Sequence, residues 1–341
     1  MRITYYVQCY RPEFEAISKE VKLLADNFAM QNEVKIHNLH LDGVFNFKLG
    51  KQFFSSHFFF YPLLFPLTWR LSRNRDVNHI YTSLGDIPYL HVLDLQRTIL
   101  TAAASCFLEK VKRRLPLLKK LKRIVVESEK QRQELLALGV EEKKMSLIYP
   151  PVDLEKFKYI KARGPFTILY ASCPTRREDF EKRGINLILK IARQTGAQFH
   201  LAWRKGAWDE IQKRIQAIPN LTATNAIIKD MNQVYAQAHA TIIPYTHYDD
   251  FLKLMPNSAL ESLAAGKPLL VSRCTEMAAI VEKEGCGVVF EPTIDGLKQG
   301  IKELQQNYTQ HQRRCLPTAA LFSKEIFLSN YEKLYEEIAH G

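Results

Sequence analysis

The chain has no unbroken run of about twenty apolar residues, the length a membrane-crossing helix needs. The nearest approach, Phe53–Trp69, is interrupted by His57, two serines, Pro62 and Pro66. It reads either as a core-packed helix pair or as a patch that dips aromatics into a bilayer interface without crossing it. No Cys-x-x-Cys pair occurs. The six cysteines, at 9, 106, 173, 274, 286 and 315, are scattered and have no histidine at metal-ligand spacing. This excludes a disulfide framework or a zinc site and predicts reduced thiols in a cytoplasmic protein. No leader precedes the first apolar run, Ile3–Val7, so the chain is expected to stay on the cytoplasmic side. Low-complexity tracts and short-period repeats are also missing.

What is present suits two domains of ordinary size: 341 residues, of which 46% are hydrophobic and 25% charged. The formal charge of +12 calls for an anionic partner, which composition alone leaves open between nucleic acid, a phospholipid surface and a phosphate-bearing substrate. The densest basic run is Lys110–Arg123, eight of whose fourteen residues are Lys or Arg. It reads as a solvated helix face or as a surface for anionic lipid, peripheral on the inner face of the membrane. It lacks interleaved aromatics, and no helix-turn-helix, RNA-recognition or zinc signature accompanies it, so nucleic acid is not the expected partner.

Short apolar, β-branched runs alternate with helical patterns, at Ile3–Val7, Val34–Ile36, His79–Tyr81, Thr98–Leu100, Arg123–Val126 and Ser146–Tyr149. This rhythm predicts parallel strands joined by crossover helices. Ser128 and Gln131 have capping-box spacing, and the helix they open, Glu129–Leu138, should stop at Gly139. The rhythm restarts at Thr167–Ala171 and continues with Gln198–Trp203, Ala240–Pro244, Pro268–Val271 and Gly287–Phe290. A last helix, Lys324–Ala339, carries the apolar stripe Ile326, Phe327, Tyr331, Leu334, Tyr335 and Ile338. The fold class is therefore α/β, with two Rossmann-like doubly wound domains whose strand ends would share a cleft.

Two strand-to-helix turns of the second half carry residues suited to an anionic ligand. In Ala171–Gly184, Arg176, Arg177, Lys182 and Arg183 follow a strand directly, and arginine forks match phosphate oxygens while keeping their charge. In Phe251–Pro268, Pro256 fits a first helical turn, so the amides near Asn257, Ser258 and Ala259 would form an anion site. Glu261, one turn further, is placed to accept hydrogen bonds from sugar hydroxyls.

Several segments, in order and spacing, resemble the retaining glycosyltransferases of family four, the glycosyl transferases group 1 with the GT-B fold. They are Val125–Glu129, Ile148–Asp153 followed by Phe157, Pro256–Pro268, Gly285–Phe290 and the closing Tyr331…Tyr335 helix. The resemblance implies that Arg177 and Arg183, the pair proposed as catalytic, neutralise a departing diphosphate, with Gly184 beside them. It implies that Glu261 holds the nucleotide ribose. Lys253 stands where the family has the first glutamate of its motif, near the transferred sugar, with Asp249 and Asp250 as acidic neighbours. On the acceptor side the usual glycine-rich turn reads Cys9–Glu13, where Arg11 can compensate, and the usual Thr-x-His reads Thr101–Ala103.

No two aspartates stand two residues apart, so the metal-holding D-x-D of another glycosyltransferase fold is missing and no metal or other cofactor is expected. The expectation is an N-terminal acceptor-binding domain over 1–160, a C-terminal donor-binding domain over 161–320, and a helix over 321–341 crossing back. The implied reaction is retaining hexosyl transfer from a UDP- or GDP-sugar to a glycan or lipid-linked acceptor. The alternatives are a catalytically impaired GT-B-like binding or scaffold subunit and, further off, a basic nucleic-acid-binding protein.

Overall fold

The computed structural model describes residues 1–7, 10–13, 15–38, 52–54, 66, 69–70, 72–82, 90–103, 108–172, 174, 176–204, 206–247 and 255–340. They divide into two compact units. The first takes its residues from Met1–Pro150 and from Glu325 onward, and the second takes the described residues between Pro151 and Lys324.

The first unit is built on seven parallel strands: β1 (Arg2–Val7), β2 (Glu33–Asn38), β3 (Gln52–Phe54), β4 (Val77–Thr82), β5 (Thr98–Ala102), β6 (Arg123–Val126) and β7 (Met145–Leu147), in the order β3-β2-β1-β4-β5-β6-β7. Strands covered on both faces read as continuous apolar runs, and β1 buries every residue after Arg2. Helix α1 (Ala16–Phe28) buries Val21, Leu24, Ala25 and Phe28, a stripe at helical spacing that packs beside Ile3 and Tyr5. Helix α2 (Leu108–Leu118) turns Val111 and Leu118 into a second core cluster and leaves Lys112 and Arg113 exposed. Helix α3 (Glu129–Ala137) begins as the spacing predicts: the Gln131 amide donates to Ser128 Oγ at 3.2 Å, and Gln131 Oε1 accepts from the Glu127 amide at 2.9 Å.

The second unit contains β8 (Thr167–Tyr170), β9 (Gln198–Trp203), β10 (Leu221–Asn225), β11 (Ala240–Ile243), β12 (Leu269–Ser272) and β13 (Gly287–Phe290), all parallel, in the order β10-β9-β8-β11-β12-β13. Its helices are α4 (Asp179–Lys182), α5 (Ile185–Ala192), α6 (Trp208–Ile215), α7 (Met231–Gln237), α8 (Asn257–Ala264), α9 (Met277–Glu284), α10 (Ile294–Gln306) and α11 (Tyr308–Ala320). Strand β10 is absent from the sequence reading because it lies at the sheet edge. Three of its five residues, in Leu-Thr-Ala-Thr-Asn, are exposed, so it carries no apolar run.

The last helix, α12 (Lys324–His340), belongs to the first unit from Glu325 onward. Phe327, Tyr331, Leu334, Tyr335 and Ile338 enter the core around Ile3, Tyr5, Val77 and Ile99. They bring hydroxyls with them, and a buried chain of hydrogen bonds results. Thr101 Oγ1 lies 2.8 Å from the Tyr331 hydroxyl and 2.7 Å from His79 Nε2, while His79 Nδ1 lies 2.7 Å from the Tyr335 hydroxyl. Tyr335 donates to Tyr5 at 3.1 Å. One proton arrangement satisfies the chain: Tyr331 donates to Thr101, Thr101 to Nε2, and Nδ1–H to Tyr335. Burial holds the His79 imidazole down to about 3, so it is neutral.

Candidate functional site

Ligands of open parallel sheets collect beyond the carboxyl ends of the strands, where the chain order reverses. In the second unit that point lies between β8 and β11. The segments leaving these two strands are tied to one another. The Thr246 amide donates to the Lys182 carbonyl at 3.0 Å, and Thr246 Oγ1 donates to the Glu181 carbonyl at 2.7 Å. Gly184 sits between them with φ +72°, and a Cβ there would lie 1.8 Å from the Pro244 carbonyl oxygen. Both the left-handed backbone and the lack of space require glycine. Gly184 is thus the residue that lets the turn after α4 close onto the end of β11.

That closure sets Arg183 in place. Its side chain is half-buried, and Nη1 donates to Ser172 Oγ at 3.2 Å, two residues past β8. Burial raises the neighbouring Tyr245 phenol, and the Arg183 charge partly offsets that rise. Arg177 is placed differently. It is exposed, with Nε 3.5 Å from Glu210 Oε1 on α6. Arg176 is exposed as well, and Lys182 pairs with Asp179 at 3.0 Å.

Helix α8 starts on the other side of the reversal point. Pro256 occupies the N-cap position, in extended conformation, one residue earlier than the sequence suggested. The amides of Asn257 and Ser258 meet no acceptor among the described residues, as the first turn of a helix dictates. Ala259 departs from the expectation: its amide donates to the Pro256 carbonyl at 2.9 Å, a 3₁₀-type bond that tightens the turn and removes it from the set of open donors. Asn257 Oδ1 is buried and meets no donor among the described residues.

Glu261 follows four residues on, about 6 Å along the axis. A tyrosine that sequence reasoning missed fixes it. The Tyr235 hydroxyl, on α7, lies 3.0 Å from Glu261 Oε2 and 3.1 Å from the Ser258 carbonyl oxygen. Burial first, and then the Glu261 charge, hold this phenol well above its ordinary range, so it remains a donor. Nothing in Met-Asn-Gln-Val-Tyr distinguishes such a residue from an ordinary core tyrosine.

In the first unit, Thr101 is 0% exposed and is consumed by the His79 and Tyr331 bonds. This gives it a place in the core, where no acceptor can touch it. Arg11 is exposed, and its amide donates to Ser18 Oγ at 2.9 Å. Lys253, Asp249 and Asp250 lie outside the described residues. Among the described residues no group of three or more His, Cys, Asp or Glu is disposed to hold a metal ion, and no helix is long and apolar enough to cross a membrane.

Residues 179–307, less than half of the chain and with all of their described residues in the second unit, match the family model described as Glycosyl transferases group 1. No protein of curated function matches the sequence. Solved structures match along nearly the whole chain. Anabaena Alr3699/HepE, solved in complex with UDP, is 13% identical with a TM-score of 0.75, covering 98% of this chain and 100% of its own. The sucrose-phosphate synthase of Thermosynechococcus elongatus is 14% identical with a TM-score of 0.75, at 99% coverage of both chains. The lipopolysaccharide outer core galactosyltransferase WaaB is 14% identical with a TM-score of 0.74, covering 99% and 100%. The fold is that of GT-B glycosyltransferases: two Rossmann-like α/β units.

Proposed function

We propose that this protein is a retaining glycosyltransferase whose second unit binds a nucleoside-diphosphate sugar, with UDP- or GDP-sugar as donor. One observation carries the reading. On the segments that follow the two strands at the reversal point of the second sheet, the chain carries a half-buried arginine anchored by Ser172, the Asn257 and Ser258 amides, which meet no acceptor among the described residues, and a glutamate held by Tyr235, groups suited to a diphosphate and a ribose. The family match to residues 179–307 supports it, as do the nucleotide complexes of Anabaena HepE, one with UDP and one with UDP-glucose.

In this reading the helix end and Arg183 take up the charge that develops on the leaving diphosphate, where preorganised donors act most strongly. The departing phosphate assists deprotonation of the acceptor, and fixed positive charge replaces a divalent ion. The acceptor is a glycan or a lipid-linked sugar. The exposed Lys112, Arg113, Lys119 and Lys120, with the exposed Trp69 and Arg73, offer the first unit a peripheral attachment to anionic lipid.

Isothermal titration with UDP and GDP, followed by donor hydrolysis in excess EDTA, tests the proposal. Binding of at least one nucleotide and EDTA-resistant turnover are expected. Absence of any nucleotide binding refutes the donor site, and activity that EDTA abolishes and manganese restores refutes metal independence.

A further inference from the structure

We propose that Arg204, at the carboxyl end of β9, reads the nucleobase of the donor and selects bases that present a ring carbonyl, uracil or guanine, over adenine. The inference rests on the donor-site reading and adds a residue that neither the sequence motifs nor the diphosphate contacts include.

The placement follows from strand geometry. Side chains alternate along a strand, so residues two apart share a face. On β9, Leu201 and Trp203 enter one core cluster, whereas Ala202 packs with Tyr235, Ala238 and Ala265 on the other face. Arg204 follows Ala202 by two residues and therefore leaves the sheet on the side of Tyr235, the residue that holds Glu261. The Ala226 amide still donates to the Trp203 carbonyl at 3.1 Å, so pairing with the neighbouring segment persists to the residue before Arg204.

Beyond it the chain turns sharply. The Gly206 amide donates to the Arg204 carbonyl at 2.7 Å, and the Trp203 indole N–H donates to the Gly206 carbonyl. Ala207 adopts φ +48°, the one non-glycine residue with positive φ among the described residues. Backbone of this kind persists where its surroundings over-determine it. The Arg204 side chain is exposed, and its charge acts on the Tyr235 phenol in the direction opposite to burial and to Glu261. That places the guanidinium within electrostatic reach of the Tyr235–Glu261 pair.

The ligand fixes what Arg204 would meet. With the diphosphate on the Asn257 and Ser258 amides and the ribose on Glu261, the base extends past the ribose, away from the helix end. Strand β9 lies beyond β8 from the reversal point, and its Ala202 packs with Tyr235, the partner of Glu261, so the carboxyl end of β9 adjoins the ribose end of the site. A guanidinium offers five donors and no acceptor. Uracil and guanine carry carbonyl oxygens that accept from it, whereas adenine carries an amino donor at the corresponding edge.

The experiment compares dissociation constants for UDP, GDP and ADP by titration of the full chain, as wild type, Arg204→Ala and Arg204→Lys. The wild type should bind the tighter of UDP and GDP about 10- to 100-fold more strongly than ADP. Arg204→Ala should collapse that ratio by weakening the carbonyl-bearing nucleotide while leaving ADP within about twofold. Arg204→Lys should restore part of the ratio, since lysine keeps the charge and N–H donors but loses the planar fork. Equal weakening of all three nucleotides would show that Arg204 senses phosphate charge, and an unchanged ratio would show that it senses nothing in the base. Either result overturns the inference and leaves the donor site standing. Failure of every nucleotide to bind the wild type overturns both.

Discussion

Replacing Tyr235 with phenylalanine removes one oxygen from the centre of the candidate site and little else. The ring stays filled by its neighbours: Phe157 meets it edge-on at 5.9 Å, and Leu169, Ala202 and Ala265 surround it. What is lost is a buried hydroxyl 3.0 Å from Glu261 Oε2 and 3.1 Å from the Ser258 carbonyl. A single proton serves both acceptors, so the loss is that of one hydrogen bond to a charged group. Such a bond contributes about 1.5–3 kcal/mol, and part returns when water reaches the carboxylate. A net cost of about 1.5 kcal/mol corresponds to roughly a tenfold weaker nucleoside diphosphate. The Glu261→Ala background sharpens the measurement. If the hydroxyl acts by orienting Glu261, Tyr235→Phe should weaken nucleotide binding about tenfold alone and hardly at all once Glu261 is gone, a coupling of about 1 kcal/mol or more. Titration calorimetry on the four proteins of the cycle, with melting curves to verify folding, measures it. Additive effects would refute the coupling, and wild-type affinity in Tyr235→Phe would refute the role of the hydroxyl altogether.

Other consequences can be checked separately. Gly184→Ala should cost about 1–2 kcal/mol from its left-handed backbone alone, and more from the collision with the Pro244 carbonyl. A lower melting temperature together with lost nucleotide affinity is expected, and a variant of wild-type stability would contradict the close approach. Arg183→Ala should lower turnover by one to two decades, a hydrogen bond to charge being worth about 1.5–3 kcal/mol. Arg177→Ala, whose side chain is solvated beside Glu210, should cost less, and steady-state kinetics showing the reverse order would reassign the diphosphate contact. His79 binds a proton in the unfolded chain near 6.5 but only near 3 when folded. The unfolded state therefore takes up more protons between these values, and stability falls as pH drops from 6.5. By pH 5 the loss is about 2 kcal/mol. Denaturant titrations of wild type and His79→Phe should diverge over that range, with His37, also held low by burial, leaving a shallower slope in the variant.

Strands with apolar, β-branched runs were legible because burial on both faces writes itself into composition. Arg123–Val126, Gln198–Trp203 and Gly287–Phe290 have the bounds expected of them. Leu221–Asn225 was not legible, since an edge strand needs no apolar run. The Ser128 cap could be read because its physics is local. In the candidate site the sequence marks Arg183 by its charge and Asn257 and Ser258 by their place in a first helical turn, whereas the bond that closes the Ala259 amide onto Pro256 was not legible. Contacts made across elements left no trace: Ser172 under Arg183, Tyr235 on Glu261, and Thr101 drawn into the core by Tyr331, 230 residues away.

The attachment of Lys324–His340 to the first unit bears on how the protein is made. The hydroxyls of Tyr331 and Tyr335 complete hydrogen bonds to Thr101, His79 and Tyr5, yet they leave the ribosome after every residue of the second unit. Until then the amino-terminal sheet keeps the His79–Thr101 bond but lacks the three hydroxyl contacts that Tyr331 and Tyr335 supply, so its polar seam is completed only after the second half has been made.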